Sequence, residues 1–211
     1  MPRMKYSLKS CIGLLMIMAL SACTGSVSVA VPTQFPVPLV DKLPLTMGVH
    51  LDETLTQYVH KEAIEARGNW QIILGPAQRP MFESLLSGLF AGVEFVDDPL
   101  VPNSGTAGVL QPSIEELQFS TPQQTHTNYF EVWIRYKFIL YDRDGTVLGD
   151  WELTAYGKAN EGNYGLQSKE PALQAAAFAA CRDAMAFFTL EFHKVPTVRK
   201  WLLTALTEAG T

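Results

Sequence analysis

The chain has 211 residues, of which 47% are hydrophobic, 18% charged and 10% aromatic. That size and balance describe one globular domain or two small ones, and exclude collagen-like, disordered and polytopic membrane chains. The net charge is −5, from 16 basic and 21 acidic residues, and three of the basic ones (Arg3, Lys5 and Lys9) fall in the first 22 positions, which hold no acid. Without them 13 basic residues face 21 acidic ones, and so acidic a domain lacks the Lys and Arg surplus that meets nucleic-acid phosphates.

Residues 1–10 are a positive stretch and residues 11–20 (CIGLLMIMAL) an apolar run. The run is too short to span a bilayer, which needs roughly 20 apolar residues, and suits the core of a secretory signal. It ends in Leu20-Ser21-Ala22-Cys23. This resembles, at every position, the lipobox of bacterial lipoproteins. The resemblance implies a signal peptide over residues 1–22, cleavage before Cys23, a diacylglyceryl thioether on its sulfur and an acyl group on the new N-terminus. No other cofactor is expected. Two or three acyl chains make a stable anchor, at roughly 0.8 kcal/mol per buried methylene. Thr24, and not Asp, comes after the cysteine, which by resemblance to enterobacterial sorting implies the outer membrane of a Gram-negative bacterium, with the domain facing the periplasm. With Cys11 removed and Cys23 acylated, Cys181 is the one thiol left and no intramolecular disulfide is available. Its setting, AAAFAACRDAMAFF, predicts a small, buried and inert thiol.

Residues 23–43 hold the lipidated cysteine and Pro32, Pro36 and Pro38, with Pro44 just beyond. Such proline density favours extended backbone and predicts a tether. The globular domain is expected over residues 44–211. A short strand is predicted over 45–50, and Asp52 is placed to cap a helical or irregular stretch in which Leu55, Tyr58, Val59 and Glu62 share a face. Residues 70–74 (WQIIL) read as a buried strand closed by Gly75-Pro76, and residues 77–90 as a helix with Phe82, Leu85, Leu86, Leu89 and Phe90 inward. A strand returns over 93–96. Residues 109–119 are strand-like, with apolar parity shifting between Leu110/Ile114 and Leu117/Phe119, which predicts a bulge near Glu115-Glu116.

The strongest pattern is residues 130–140, where Phe130, Val132, Ile134, Tyr136, Phe138 and Leu140 alternate with Glu131, Trp133, Arg135, Lys137 and Ile139. Asp144-Gly145 marks a hairpin, and residues 147–156 return with Trp151, Leu153 and Ala155 on one side and Asp150, Glu152 and Thr154 on the other. Pro171 opens a helix to about residue 193, with Leu173, Ala177, Ala180, Ala184 and Phe187/Phe188 inward, and a shorter helix spans 198–206. The reading is a single α+β domain with a mainly antiparallel, mixed sheet and helices packed on one face.

Catalytic sets do not emerge. His50, His60, His126 and His193 are far apart in sequence and form no metal-ligand spacing, and no nucleophile elbow, P-loop or dinucleotide fingerprint occurs. Asp142-Arg143-Asp144-Gly145 lacks the later ligands of a calcium loop and reads as a plain turn. Neither Glu115-Glu116 nor Asp97-Asp98 forms a carboxylate pair by itself, since neighbours on a strand face opposite ways. The suggestive residues are aromatic. Trp133 lies on the polar side of its strand, with Tyr129 and Tyr141 at the same parity and Arg135 and Lys137 between them, a composition used by interface hot spots and glycan platforms. Residues 156–165 read as a Gly-rich loop with Tyr156 and Tyr164. The candidate partner-binding residues are Trp133, Arg135, Lys137, Tyr129 and Tyr164.

In lipobox, proline segment and element order, the chain is similar to small periplasm-facing outer-membrane lipoproteins: those that activate penicillin-binding proteins, the Pel polysaccharide export lipoprotein, and the globular part of the curli secretion lipoprotein. No local motif aligns, so no binding residue is carried over. The resemblance implies a non-enzymatic role with an envelope protein as partner, or alternatively a transport auxiliary that holds a lipid or glycan between sheet and helices near Phe138, Trp151 and Phe188.

Overall fold

The computed structural model of the protein describes residues 26–65, 67–101, 105–167 and 169–209. The expected signal peptide and Cys23 lie outside them. The strands are β1 (Val27–Ala30), β2 (Leu43–Val49), β3 (Val59–Ile64), β4 (Gly68–Ile73), β5 (Phe90–Phe95), β6 (Gly108–Ser120), β7 (Tyr129–Asp142) and β8 (Val147–Asn160). The helices are α1 (Glu53–Thr56), α2 (Gly75–Leu89), α3 (Pro122–Thr125), α4 (Lys169–Glu191) and α5 (Pro196–Ala209), with 3-10 turns at Glu161–Gln167 and Phe192–Lys194.

A five-stranded sheet runs β5–β2–β6–β7–β8. Strands β6, β7 and β8 pair antiparallel, and β2 lies parallel to β5 and β6. The alternation on β7 decides its orientation: Phe130, Val132, Ile134, Tyr136, Phe138 and Leu140 all face the core, none more than 2% exposed. The one polar atom among them is matched. The Tyr136 hydroxyl donates to Gln78 Oε1 (3.1 Å), whose Nε2 donates to the Leu74 carbonyl (3.3 Å), as burial of a hydroxyl demands. The register of β6 against β7 slips between Ile114 and Glu116, the expected bulge, and so Leu110, Leu117 and Phe119 are all buried. Pro112 is accommodated because β2 pairs with β6 over residues 108–110, beyond which β7 is the strand neighbour.

Helices α2 and α4 cover the inner face, and the close approach explains the alanines. Ala172, Ala176, Ala177, Ala180 and Ala184 of α4 are buried. A Cβ on Gly157 of β8 would run into the carbonyl of Ala176 and the amide of Ala180. Phe188 is buried as expected, whereas Phe187 is half exposed: two consecutive helical positions diverge by about 100° and cannot both face the sheet.

Two parts differ from expectation. The helical face through Val59 and Glu62 does not form. Asp52 caps α1 by accepting the Leu55 amide (2.7 Å), but α1 ends at Thr56 and residues 59–64 become β3, paired antiparallel with β4. The second difference is in the proline segment. Val27–Ala30 pairs parallel with β4, so β1–β4–β3 makes a second sheet. The Val31 amide donates to the Ile73 carbonyl, Gln174 Nε2 donates to the Ala30 carbonyl at 2.7 Å, Phe35 packs on Phe178 at 5.2 Å, and Pro38 lies against Gly88. Residues 27–38 are extended, as their prolines require, but laid on the domain instead of leading away from it.

The long strands separate two ends of the molecule. At one, the loop end, the β3–β4 turn is held to residue 121 by Arg67 Nη1 donating to Thr121 Oγ1 (3.1 Å), and Glu161 N donates to the Asn128 carbonyl (2.9 Å). At the other, the turn end, the hairpin at 142–146 lies near α5, whose Trp201 Nε1 donates to the Ala107 carbonyl (3.1 Å). Strand β1 starts at the loop end. Val27 pairs with Trp70, whose ring lies 5.7 Å from Phe119 and 5.9 Å from Phe130.

Candidate functional site

The residues of β7 that leave the core form the outer face of the large sheet. Trp133 lies opposite Tyr156 on β8 and Gln118 on β6, and the Trp133 and Tyr156 rings meet with centroids 5.2 Å apart, inclined by 40°. Next along the strand, Arg135 Nη2 is 2.9 Å from Glu116 and Nη1 3.8 Å from Glu152. Lys137 Nζ is 3.3 Å from Asp150. All these side chains are partly exposed, so each pair contributes at most about 1 kcal/mol; what they do is hold long side chains across the strands. The bulge is what turns Glu116 toward Arg135. The Tyr156 hydroxyl donates to Glu131 (2.6 Å), which also accepts from Ser120 (3.2 Å). Burial first, then the hydrogen bond to Glu131 and its charge, push that hydroxyl up to about 12 from an ordinary 10.0. A shallow depression of about 320 Å³ is bounded by Glu116, Gln118, Trp133, Arg135 and Thr154.

The structure therefore brings Trp133, Arg135, Lys137 and Tyr129 onto one face, with Tyr129 at its loop end, and places Tyr164 off the sheet. Tyr129 is the first residue of β7, with Lys158 Nζ 5.1 Å above its ring, and Tyr164 sits in the 3-10 turn after β8. Both belong to the loop end. Tyr156, expected at the start of a Gly-rich loop, lies instead within β8, which continues to Asn160, and faces Trp133. Its parity with Thr154 on the returning strand was the available signal, but its position opposite Trp133 depends on the hairpin register.

Two grooves were not signalled at all. One, of about 720 Å³, runs along α4 between residues 36–40 and residues 156–158, with Met185, Ala186 and Leu190 in its wall. Leu39 is 99% and Leu190 62% exposed there, and Lys158, Arg182 and Asp183 supply charge. The other, of about 550 Å³, lies at the turn end between residues 142–144, Leu148 and the Lys200, Trp201 and Glu208 side of α5.

Among the described residues, no three His, Cys, Asp or Glu side chains are grouped to hold a metal ion. The Asp142 carboxylate accepts the amides of Asp144 and Thr146 (2.9 and 2.8 Å), and Gly145 takes φ 79°, the geometry of a hairpin turn. Cys181 is fully buried, and burial pushes its thiol up to about 12 from 9.0. The space between Phe138, Trp151 and Phe188, where the alternative reading put a passenger, is filled by their own rings: Phe138 lies 5.4 Å from Trp151 and 5.0 Å from Phe188.

No protein-family model matches the chain, and no curated protein sequence matches it significantly. Its fold is similar to that of several solved structures. Protein XCC0632 of Xanthomonas campestris, assigned to the family DUF330, is 13% identical with a TM-score of 0.49, over 89% of this chain and 99% of that one. A minor lipoprotein of Acinetobacter baumannii is 14% identical with a TM-score of 0.42, over 73% and 92%. A PelC dodecamer of Paraburkholderia phytofirmans is 18% identical with a TM-score of 0.31, over 70% and 96%. At these identities the likeness is one of backbone arrangement alone. Among the described residues, no helix is long and apolar enough to cross a membrane.

Proposed function

We propose that the protein is an outer-membrane lipoprotein, anchored through acylated Cys23, whose periplasm-facing domain binds another envelope protein without performing chemistry on it. The anchor rests on the lipobox residues Leu20, Ser21, Ala22 and Cys23. The observation that carries the binding role is the groove along α4. Its apolar wall of Val37, Leu39, Val40 and Leu190 is exposed, and a contiguous apolar surface bordered by charge is the anatomy of an interaction patch. Trp133 and Arg135 offer a second contact region of the residue types that dominate interface energetics.

A second reading places a lipid or glycan passenger in the same groove. Its volume of about 720 Å³ is within the range of small-molecule sites. One experiment separates the two. Tagged lipoprotein is crosslinked in cells, purified in mild detergent and analysed by mass spectrometry beside the Leu39→Glu variant. A near-stoichiometric envelope protein, lost in Leu39→Glu, supports the binding role. Lipid or glycan recovered without protein supports the carrier, and recovery of neither overturns both. Membrane association unchanged in Cys23→Ala removes the anchor.

A further inference from the structure

We propose that the loop end of the domain lies on the phospholipid headgroup surface, with Tyr129 and Tyr164 in the interface and the turn end held outward. This rests on the reading of Cys23 as the lipid anchor. Four peptide steps separate Cys23 from Val27, and a fully extended chain spans at most about 3.6 Å per residue, so Val27 stays within roughly 14 Å of the anchored cysteine. Val27 is not free to swing. It is 7% exposed and paired with Trp70, and the strand it begins is continued by Val31 N donating to the Ile73 carbonyl at 3.0 Å. A short, covalently fixed entry into a built-in strand determines which end of the domain meets the bilayer.

The chemistry of that end fits the position. Tyr129 and Tyr164 are 36% and 38% exposed, and tyrosine concentrates at the membrane–water interface because its ring is apolar and its hydroxyl is not. Lys158 above the Tyr129 ring sets an ammonium beside an aromatic at headgroup depth. Arg67, Lys158 and Lys169 are balanced by Glu65, Glu161 and Glu170, so docking needs no anionic lipid. Strands β7 and β8, 14 residues each, extend about 45 Å at roughly 3.3 Å per residue. They carry the groove between residues 142–144 and α5 to that distance from the surface.

The test uses mature lipoprotein in phosphatidylcholine vesicles, its Cys23 modification read by intact mass. A bimane label is placed through Tyr164→Cys, Gln123→Cys or Val147→Cys, and Cys181, being buried, does not compete. Brominated phosphatidylcholine is expected to quench the label at positions 164 and 123 at least about threefold more than at 147, given the roughly 45 Å strand length between the ends. Equal quenching at both ends on protein with lipidated Cys23 overturns the orientation and leaves the anchor standing. An unmodified Cys23 overturns the anchor, and the orientation with it.

Discussion

The Asp183 carboxylate of α4 accepts a hydrogen bond from the backbone amide of Tyr156 at 2.9 Å. Strand β8 is an edge of the five-stranded sheet, and an edge amide is a template for pairing with a foreign strand. Asp183 closes that amide and ties the helix to the strand whose side chain completes the Trp133 stack. Asp183→Ala is expected to lower stability by about 1 kcal/mol, the size of one net hydrogen bond. Asp183→Asn, which keeps a carbonyl acceptor, should recover most of it. Urea unfolding midpoints check both.

Gly157 and Gly165 make a matched pair. A methyl at Gly157 meets the backbone of α4, whereas Gly165 has φ 70° and nothing within 4 Å of a Cβ. Gly157→Ala forces helix and sheet apart and should cost more than about 2 kcal/mol, as overpacking does. Gly165→Ala has only its backbone conformation to suffer, roughly 1–3 kcal/mol, because φ 70° with ψ −149° is a region that glycine alone visits readily. A Gly157→Ala loss below about 2 kcal/mol in denaturant would show that α4 is not seated against β8 as described.

Alkaline pH should destabilise the protein through two buried protons, on Cys181 and Tyr136, and a third on the half-buried, hydrogen-bonded Tyr156. Cys181 titrates at about 12 instead of 9.0, Tyr156 at about 12 instead of 10.0, and Tyr136 is pushed well above 10.0 by burial. Each folded-state value is raised, so the folded state holds protons that the unfolded chain has released. The stability they contribute is complete below about pH 9 and falls as pH rises toward about 12, by up to about 1.4 kcal/mol per pH unit for each group. Cys181→Ala should flatten the decline between about pH 9 and 10, where the tyrosines do not yet contribute. Unfolding free energies measured from about pH 8 to 11 test this.

Removing residues 26–40 should destabilise the domain severely. Val27, Val29 and Val31 are each at most 7% exposed, and burying such side chains contributes about 1.5 kcal/mol or more apiece. A protein starting at Asp41 is expected to lose at least about 4 kcal/mol, seen in its thermal or urea transition. A dispensable tether would leave the transition unchanged.

Much of the fold was legible locally. The alternation of residues 130–140 determined a strand and its buried face, Asp144-Gly145 its hairpin, and the parity shift around Glu115-Glu116 a bulge, because each depends on side-chain direction along one strand. The alanines of α4 signalled close packing for the same reason. By itself the sequence also carries Leu20-Ser21-Ala22-Cys23, which resembles a lipobox, and the acidic character of the residues after Cys23. Tertiary structure decided the rest. Four residues, Val27–Ala30, between a short polar stretch and Pro32 carry too little pattern to declare a strand, and become one because β4 offers them an open parallel edge. Residues 59–64 had apolar spacing compatible with a helix, but pairing with β4 satisfies their backbone in an extended form. Tyr156 joins Trp133, and Asp183 reaches the Tyr156 amide, only once register and helix docking are set. Contacts between residues 23 or 27 positions apart are made by packing, and no local periodicity encodes them.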